Sequence, residues 1–114
     1  MIKVYGIKNC STCVKALKWL EVQGKSFEFI DYRAQPIAPE TILTWAAELG
    51  WAKLINKAST SWRGLSEEQK QASTDTEFLA LLAEFPTLMK RPVLLTQNRI
   101  ILGFKPEAYE EFFA

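Results

Sequence analysis

A chain of 114 residues with 14 Lys and Arg against 13 Asp and Glu has a formal net charge of +1, which gives no overall electrostatic case for nucleic acid or an anionic membrane as partner. Its 48% hydrophobic content suits a single soluble domain over residues 1–114, and no run approaches the roughly 18 consecutive apolar residues of a membrane span. The sequence holds no histidine, which excludes Cys-His and Ser-His hydrolases, histidine general bases and histidine metal sites together.

Ile2 to Tyr5 form a β-branched and aromatic run ended by Gly6, the pattern of a strand. The opening Met1 to Gly6 is too short and too mixed for the apolar core of a signal peptide, so a cytoplasmic location is expected. After a loop with Lys8, Asn9 and Cys10, the positions Val14, Leu17 and Leu20 recur at helical spacing. Trp19 stands beside them, Lys15 and Lys18 lie on the other face, and Gly24 is the stop signal. Phe27 to Tyr32 read as a second strand, which a right-handed crossover would set parallel to the first.

Pro36 and Pro39 punctuate a loop, and Pro39 fits the first turn of a helix whose buried face is Ile42, Leu43, Ala46 and Leu49. A second helical stretch follows over Trp51 to Ile55, then a polar loop from Asn56 to Gly64. Ser66-Glu67-Glu68 has the form of a capped helix start, and Thr76 to Phe85 form a helix with Phe78, Leu79, Leu81 and Leu82 inward. Pro92 to Thr96 and Arg99 to Leu102, joined at Gln97-Asn98, predict a β-hairpin, and Pro106 to Phe113 a last helix. The order βαβ, helices, ββα is that of a thioredoxin-like (glutaredoxin-like) α/β fold. It implies a mixed four-stranded sheet with helices on both faces and a helical insertion at about 38–88. Room for helices on both faces leads us to expect a monomer.

Cys10 and Cys13 are spaced three apart where a strand gives way to a helix. There the unpaired N–H groups and the helix dipole favour a thiolate, and Lys8 and Lys15 are expected to add positive potential. Cys10 is therefore the expected nucleophile, and Cys13, one turn on, the resolving thiol. Two alternatives stand beside this. Cys13 can be a small buried helix residue, because a monothiol route needs only Cys10 and glutathione. A carboxylate-assisted or intersubunit zinc site is the other, although two cysteines cannot complete the usual four ligands, and no metal is assigned. Lys90-Arg91-Pro92-Val93 stands between helix and hairpin, where thioredoxin-like folds hold a cis-proline opposite the cysteines. Arg91 would then offer bidentate contacts to an oxyanion or carboxylate near the thiols; the plain alternatives are a trans proline and a surface arginine.

Taken together, Tyr5-Gly6-Ile7-Lys8-Asn9-Cys10-Ser11-Thr12-Cys13-Val14-Lys15-Ala16, Phe29-Ile30-Asp31-Tyr32, Trp62-Arg63, Leu88-Met89-Lys90-Arg91-Pro92-Val93 and Gly103-Phe104-Lys105-Pro106-Glu107 resemble the arsenate-reductase/Spx family. The resemblance covers essentially the whole chain and is strongest to a short branch described as glutathione-dependent thiol reductases. It implies a cytosolic thiol-disulfide reductase with no tightly bound cofactor and glutathione as reductant or co-substrate. Lys8, Asn9, Arg91, Pro92 and Lys105 would then bind the substrate. In the arsenate reductases of the family one cysteine attacks arsenate and three arginines hold it. Cys10 matches that cysteine and Arg91 one arginine; Lys105 replaces the last, as a point charge without the bidentate fork. The middle arginine has no clean match around Leu54-Ile55-Asn56, with Lys57 and Arg63 nearby. Arsenate reduction is thus one alternative. The other is a Spx-like redox switch, which implies the RNA polymerase α subunit as partner with no direct contact to nucleic acid.

Overall fold

The computed structural model describes residues 2–97 and 99–114. Strand β1 (Ile2–Gly6) alternates as a half-buried strand should, with Lys3 exposed and Val4 at 0% exposure. Helix α1 (Ser11–Val22) carries the chain across to β2 (Phe27–Asp31), which pairs with β1 in parallel from Ile2↔Phe27 to Gly6↔Asp31. Strand β3 (Val93–Thr96) lies antiparallel to the other side of β1, with Val4 opposite Leu94, and β4 (Arg99–Leu102) lies antiparallel to β3. The sheet is therefore mixed and four-stranded, in the order β2-β1-β3-β4. Between β3 and β4, Gln97 takes the left-handed φ of +51° that a tight hairpin favours, while Asn98, read as its turn partner, lies outside the described residues.

One sheet face presents Ile2, Val4, Phe27, Phe29, Leu94 and Ile101 to a core closed by Ala16 and Leu20 of α1 and by Tyr109 and Phe112 of the last helix (Pro106–Phe112). Full burial of a side chain such as Leu20 contributes about 1.5–3 kcal/mol. The inward face of α1 is Cys13, Ala16 and Leu20, and Val14, expected there, is 54% exposed. The reason is size: Cys13 and Ala16 are small, so the helix axis can come close to the strands, whereas a pattern weighted toward bulky side chains selects Val14.

The chain divides into two compact units, one made of the residues up to Pro36 with those from Arg91 onward, the other Ile37–Lys90. In the second unit α2 (Pro39–Leu49) buries Ile42, Trp45 and Ala46, and Gly50 at φ +87° turns the chain into α3 (Trp51–Leu54). The stretch expected to be loop contains α4 (Thr60–Arg63), started by Ser59, whose Oγ accepts the Trp62 N–H at 3.1 Å. Ser66 does cap a turn. Its Oγ accepts the Gln69 N–H and Gln69 Oε1 accepts the Ser66 N–H, but only the 3-10 turn Gln69–Gln71 follows. Helix α5 (Asp75–Glu84) starts from a complete capping box between Thr74 and Glu77 and buries Phe78, Leu81 and Leu82. The helix Pro106–Phe112 is α6. Among the described residues no helix is long and apolar enough to cross a membrane.

Candidate active site

Parallel pairing of β1 with β2 sets Gly6 opposite Asp31, and that register builds the support for the cysteine loop. The Asp31 carboxylate accepts the N–H of Lys8 at 3.2 Å and of Arg33 at 3.0 Å, while the Tyr32 N–H donates to the Gly6 carbonyl at 3.1 Å. These contacts, with the Arg33 N–H foremost and the Lys8 ammonium adding to it, hold the Asp31 carboxyl below the usual carboxylate range. A turn closed by the Cys10 N–H on the Ile7 carbonyl, 3.1 Å, then delivers Cys10 to the N-cap of α1. Lys8 and Asn9 are exposed on this turn.

The two sulfurs have opposite surroundings. Cys10 is half-buried, which opposes a charge, but the N–H groups of Cys13 and Thr12, the Cys13 thiol and the Arg91 guanidinium outweigh that burial. They hold the Cys10 pKa below the ordinary thiol value. Cys13 is 1% exposed, and burial together with the negative charge on Cys10 pushes it up to about 12, against the pull of the Ile7 N–H. Its sulfur occupies the space that Gly6 leaves free: a Cβ on Gly6 would stand 2.6 Å from the Cys13 Sγ and 3.2 Å from the Phe29 ring. The fold thus favours the thiolate at Cys10 and the neutral thiol at Cys13.

Arg91 stands two residues before β3, and its peptide bond to Pro92 is cis. Its guanidinium acts on Cys10, Tyr32 and Cys13; burial opposes its charge, but Tyr32 and Cys10 strengthen its hold on the proton. Pro92 is fully buried, and its carbonyl accepts the Gly103 N–H at 2.9 Å. The Gly103 carbonyl in turn accepts the Tyr109 hydroxyl at 2.8 Å, so α6 is pinned to the proline loop. Burial, and to a lesser degree the charge on Cys13, drive the Tyr109 pKa upward. Among the described residues no group of three or more Cys, Asp and Glu could hold a metal ion.

Residues 5–112 match the model of the ArsC family. The chain belongs to the ArsC family. An uncharacterized protein of Haemophilus influenzae is 42% identical over 114 residues, covering 100% of both chains. The global transcriptional regulator Spx 2 of Bacillus anthracis is 27% identical over 119 residues, covering 98% of this chain and 86% of its own. Among solved structures, the YFFB protein superimposes with a TM-score of 0.92 at 38% identity, covering 100% of both chains.

Of the three arginines that the resemblance leads one to expect, this ArsC-family chain has Arg91 beside the sulfurs. Lys105 is exposed at the N-cap of α6, where its carbonyl accepts the Tyr109 N–H at 3.0 Å. Lys57 and Arg63, the candidates for the middle arginine, are engaged within the Ile37–Lys90 unit. Lys57 Nζ lies 5.4 Å from the centre of the Trp62 ring, and Arg63 Nη2 donates to the Ala58 carbonyl at 2.7 Å. Trp51 is likewise a packing residue, stacked on Phe78 at 4.9 Å with its indole N–H on Asp75 at 2.8 Å. Gly6, Asp31, Tyr32 and Tyr109 belong to the site without having been singled out by the sequence. The first three stand in segments that carry the family resemblance, but no sequence pattern assigned them a role, because it is the cross-strand register that brings Gly6, Asp31 and Tyr32 to the cysteine loop.

Proposed function

We propose that this ArsC-family chain is a thiol-disulfide reductase that draws its electrons from glutathione. The observation that carries the reading is the contrast between Cys10, half-exposed and held below the ordinary thiol pKa, and Cys13, 1% exposed and pushed up to about 12. The Cys10 thiolate attacks a mixed disulfide of glutathione at the glutathione sulfur. A Cys10–glutathione bond forms, the substrate sulfur–sulfur bond breaks, and the substrate leaves as a thiolate that takes a proton from water. A second glutathione thiolate then attacks the bound glutathione sulfur, giving oxidised glutathione and restoring the Cys10 thiolate. The sum is one glutathione thiol consumed per mixed disulfide: the incoming glutathione takes the place of the substrate sulfur, which leaves reduced as a thiol.

Cys13 can also resolve the intermediate, forming a Cys10–Cys13 disulfide that two further glutathiones reduce. The external thiol is favoured, because burial, the foremost cause that holds the proton on Cys13, persists once Cys10 is joined to glutathione. Arg91 is suited to a glutathione carboxylate, the backbone ahead of Pro92 to its peptide, and Lys8, Asn9 and Lys105 to its outer charged groups. A single arginine at the sulfurs is thin provision for arsenate. We place the enzyme in the cytosol as a monomer.

The identity with a global transcriptional regulator supports a second reading: Cys10 and Cys13 as a redox switch whose partner is the RNA polymerase α subunit. Turnover separates the two. Reduction of a small glutathione mixed disulfide, coupled to glutathione reductase and followed by NADPH consumption, is expected to cycle many times per protein. It should vanish in Cys10→Ser and persist in Cys13→Ser. A folded protein with a reactive Cys10 but no turnover would reject the reductase and favour the switch.

A further inference from the structure

Among the described residues the Tyr32 hydroxyl is the one buried side-chain oxygen or nitrogen with no hydrogen-bond partner. Tyr32 is 4% exposed and is anchored by its N–H on the Gly6 carbonyl, at the strand end where Cys13 is seated. Its hydroxyl already faces the Arg91 guanidinium, which acts on it by charge and by a side-chain approach that stops short of a full hydrogen bond, and Cys13 and Cys10 lie within electrostatic reach. Buried hydroxyls are nearly always paired, so one left open beside a reactive sulfur calls for a reason.

The chemistry of the neighbours supplies it. A guanidinium can only donate, and a phenol oxygen has two lone pairs to accept with. While Cys10 is a thiolate, Arg91 has a charged partner, the stronger of the two available. Once Cys10 is joined to glutathione, that negative charge is gone and the half-buried guanidinium needs another acceptor. We propose that Tyr32 is a positioning residue for Arg91: in the mixed-disulfide state its oxygen accepts from the guanidinium and keeps the cation beside the Cys10 sulfur. The role rests on the reductase reading above. When the second glutathione attacks, the Cys10–glutathione bond breaks and its electron pair returns to the Cys10 sulfur. Arg91, already in place, meets that charge as it develops. Tyr32 neither gains nor loses a proton.

The test uses the Cys13→Ser protein, in which glutathione cannot be expelled internally. Its Cys10–glutathione adduct is formed with oxidised glutathione, and release on adding glutathione is followed by intact mass, in the parent, Tyr32→Phe, Arg91→Gln and the double variant. Tyr32→Phe is expected to slow release by about tenfold, the loss typical of one hydrogen bond to a charged group. Its melting temperature should stay level or rise, since the change removes an unpaired buried hydroxyl. In the Arg91→Gln background the same change should do nothing further. Release within about twofold of the parent, or equal slowing in both backgrounds, would overturn the role. Absence of turnover in the wild type would count against the reductase alone, because adduct release reports on Tyr32 whether or not the protein cycles.

Discussion

Gly6 ends β1 without a side chain, and the Cys13 sulfur fills the space. An alanine there would set its Cβ 2.6 Å from the sulfur, closer than real contacts allow, and 3.2 Å from a Phe29 ring that strand pairing holds opposite Val4. Neither neighbour is the loose end of a flexible side chain. Gly6→Ala should therefore destabilise the protein by about 1–3 kcal/mol, the usual result of overpacking. It should also push Cys13 away from Cys10, weakening the N–H contact that favours the thiolate and moving the midpoint of Cys10 alkylation to higher pH. Urea unfolding and alkylation against pH measure the two effects. The Cys13 Cβ lies at an ordinary 3.5 Å from the added carbon, so most of the stability loss should disappear in a Cys13→Ala background. A cost unchanged by that second substitution would refute the clash.

At the scale of elements, two reciprocal caps lead to different outcomes. Thr74 and Glu77 satisfy each other's backbone and launch the ten-residue α5, with Phe78, Leu81 and Leu82 buried behind them. Ser66 and Gln69 make the same exchange, yet only three residues of 3-10 helix follow. A cap fixes where a helix can begin; a buried apolar face decides whether it continues. Thr74→Ala should accordingly cost about 1 kcal/mol in urea unfolding, with Ser66→Ala well below it, and equal costs would refute this assignment. The same distinction explains what the sequence disclosed. The strands and longer helices were legible because their apolar periods are long and bounded by Gly and Pro. The inward face of α1 was not, because Cys13 and Ala16 carry little weight in a hydrophobic pattern despite being the residues that let helix and sheet approach. At the site, Cys10, Cys13 and Arg91 stand out by spacing and by the adjacent proline. Asp31 and Tyr32 do not, since what makes them matter is a cross-strand register between segments about 25 residues apart.

For the whole molecule, the site imposes a pH dependence on folding. Cys13 has an ordinary value of 9.0 and is held neutral in the fold to about 12, so the stability its burial contributes is complete below pH 9 and is lost as the pH rises toward 12. Tyr32 and Tyr109, both raised above 10.0 by burial, behave alike but begin to act only above that pH. Cys10 has the opposite sign. Its folded value is lowered, so its contribution is complete above 9.0 and is lost as the pH falls through the folded value. Each fully engaged group changes the unfolding free energy by about 1.4 kcal/mol per pH unit. Between pH 9 and 10 Cys13 should dominate, since the unfolded chain releases its proton there and the folded chain does not. Urea unfolding across that interval should show stability falling with pH in the wild type, and falling less steeply in Cys13→Ser, whose hydroxyl does not titrate. The exposed lysines are common to both proteins and cancel in the comparison. Identical slopes would mean that Cys13 ionises in the fold as readily as outside it, and the contrast between the sulfurs would be lost. If the slopes differ as expected, the pH range of greatest stability is the one in which Cys10 is charged and Cys13 is not. That is the state a glutathione-linked attack by Cys10 requires.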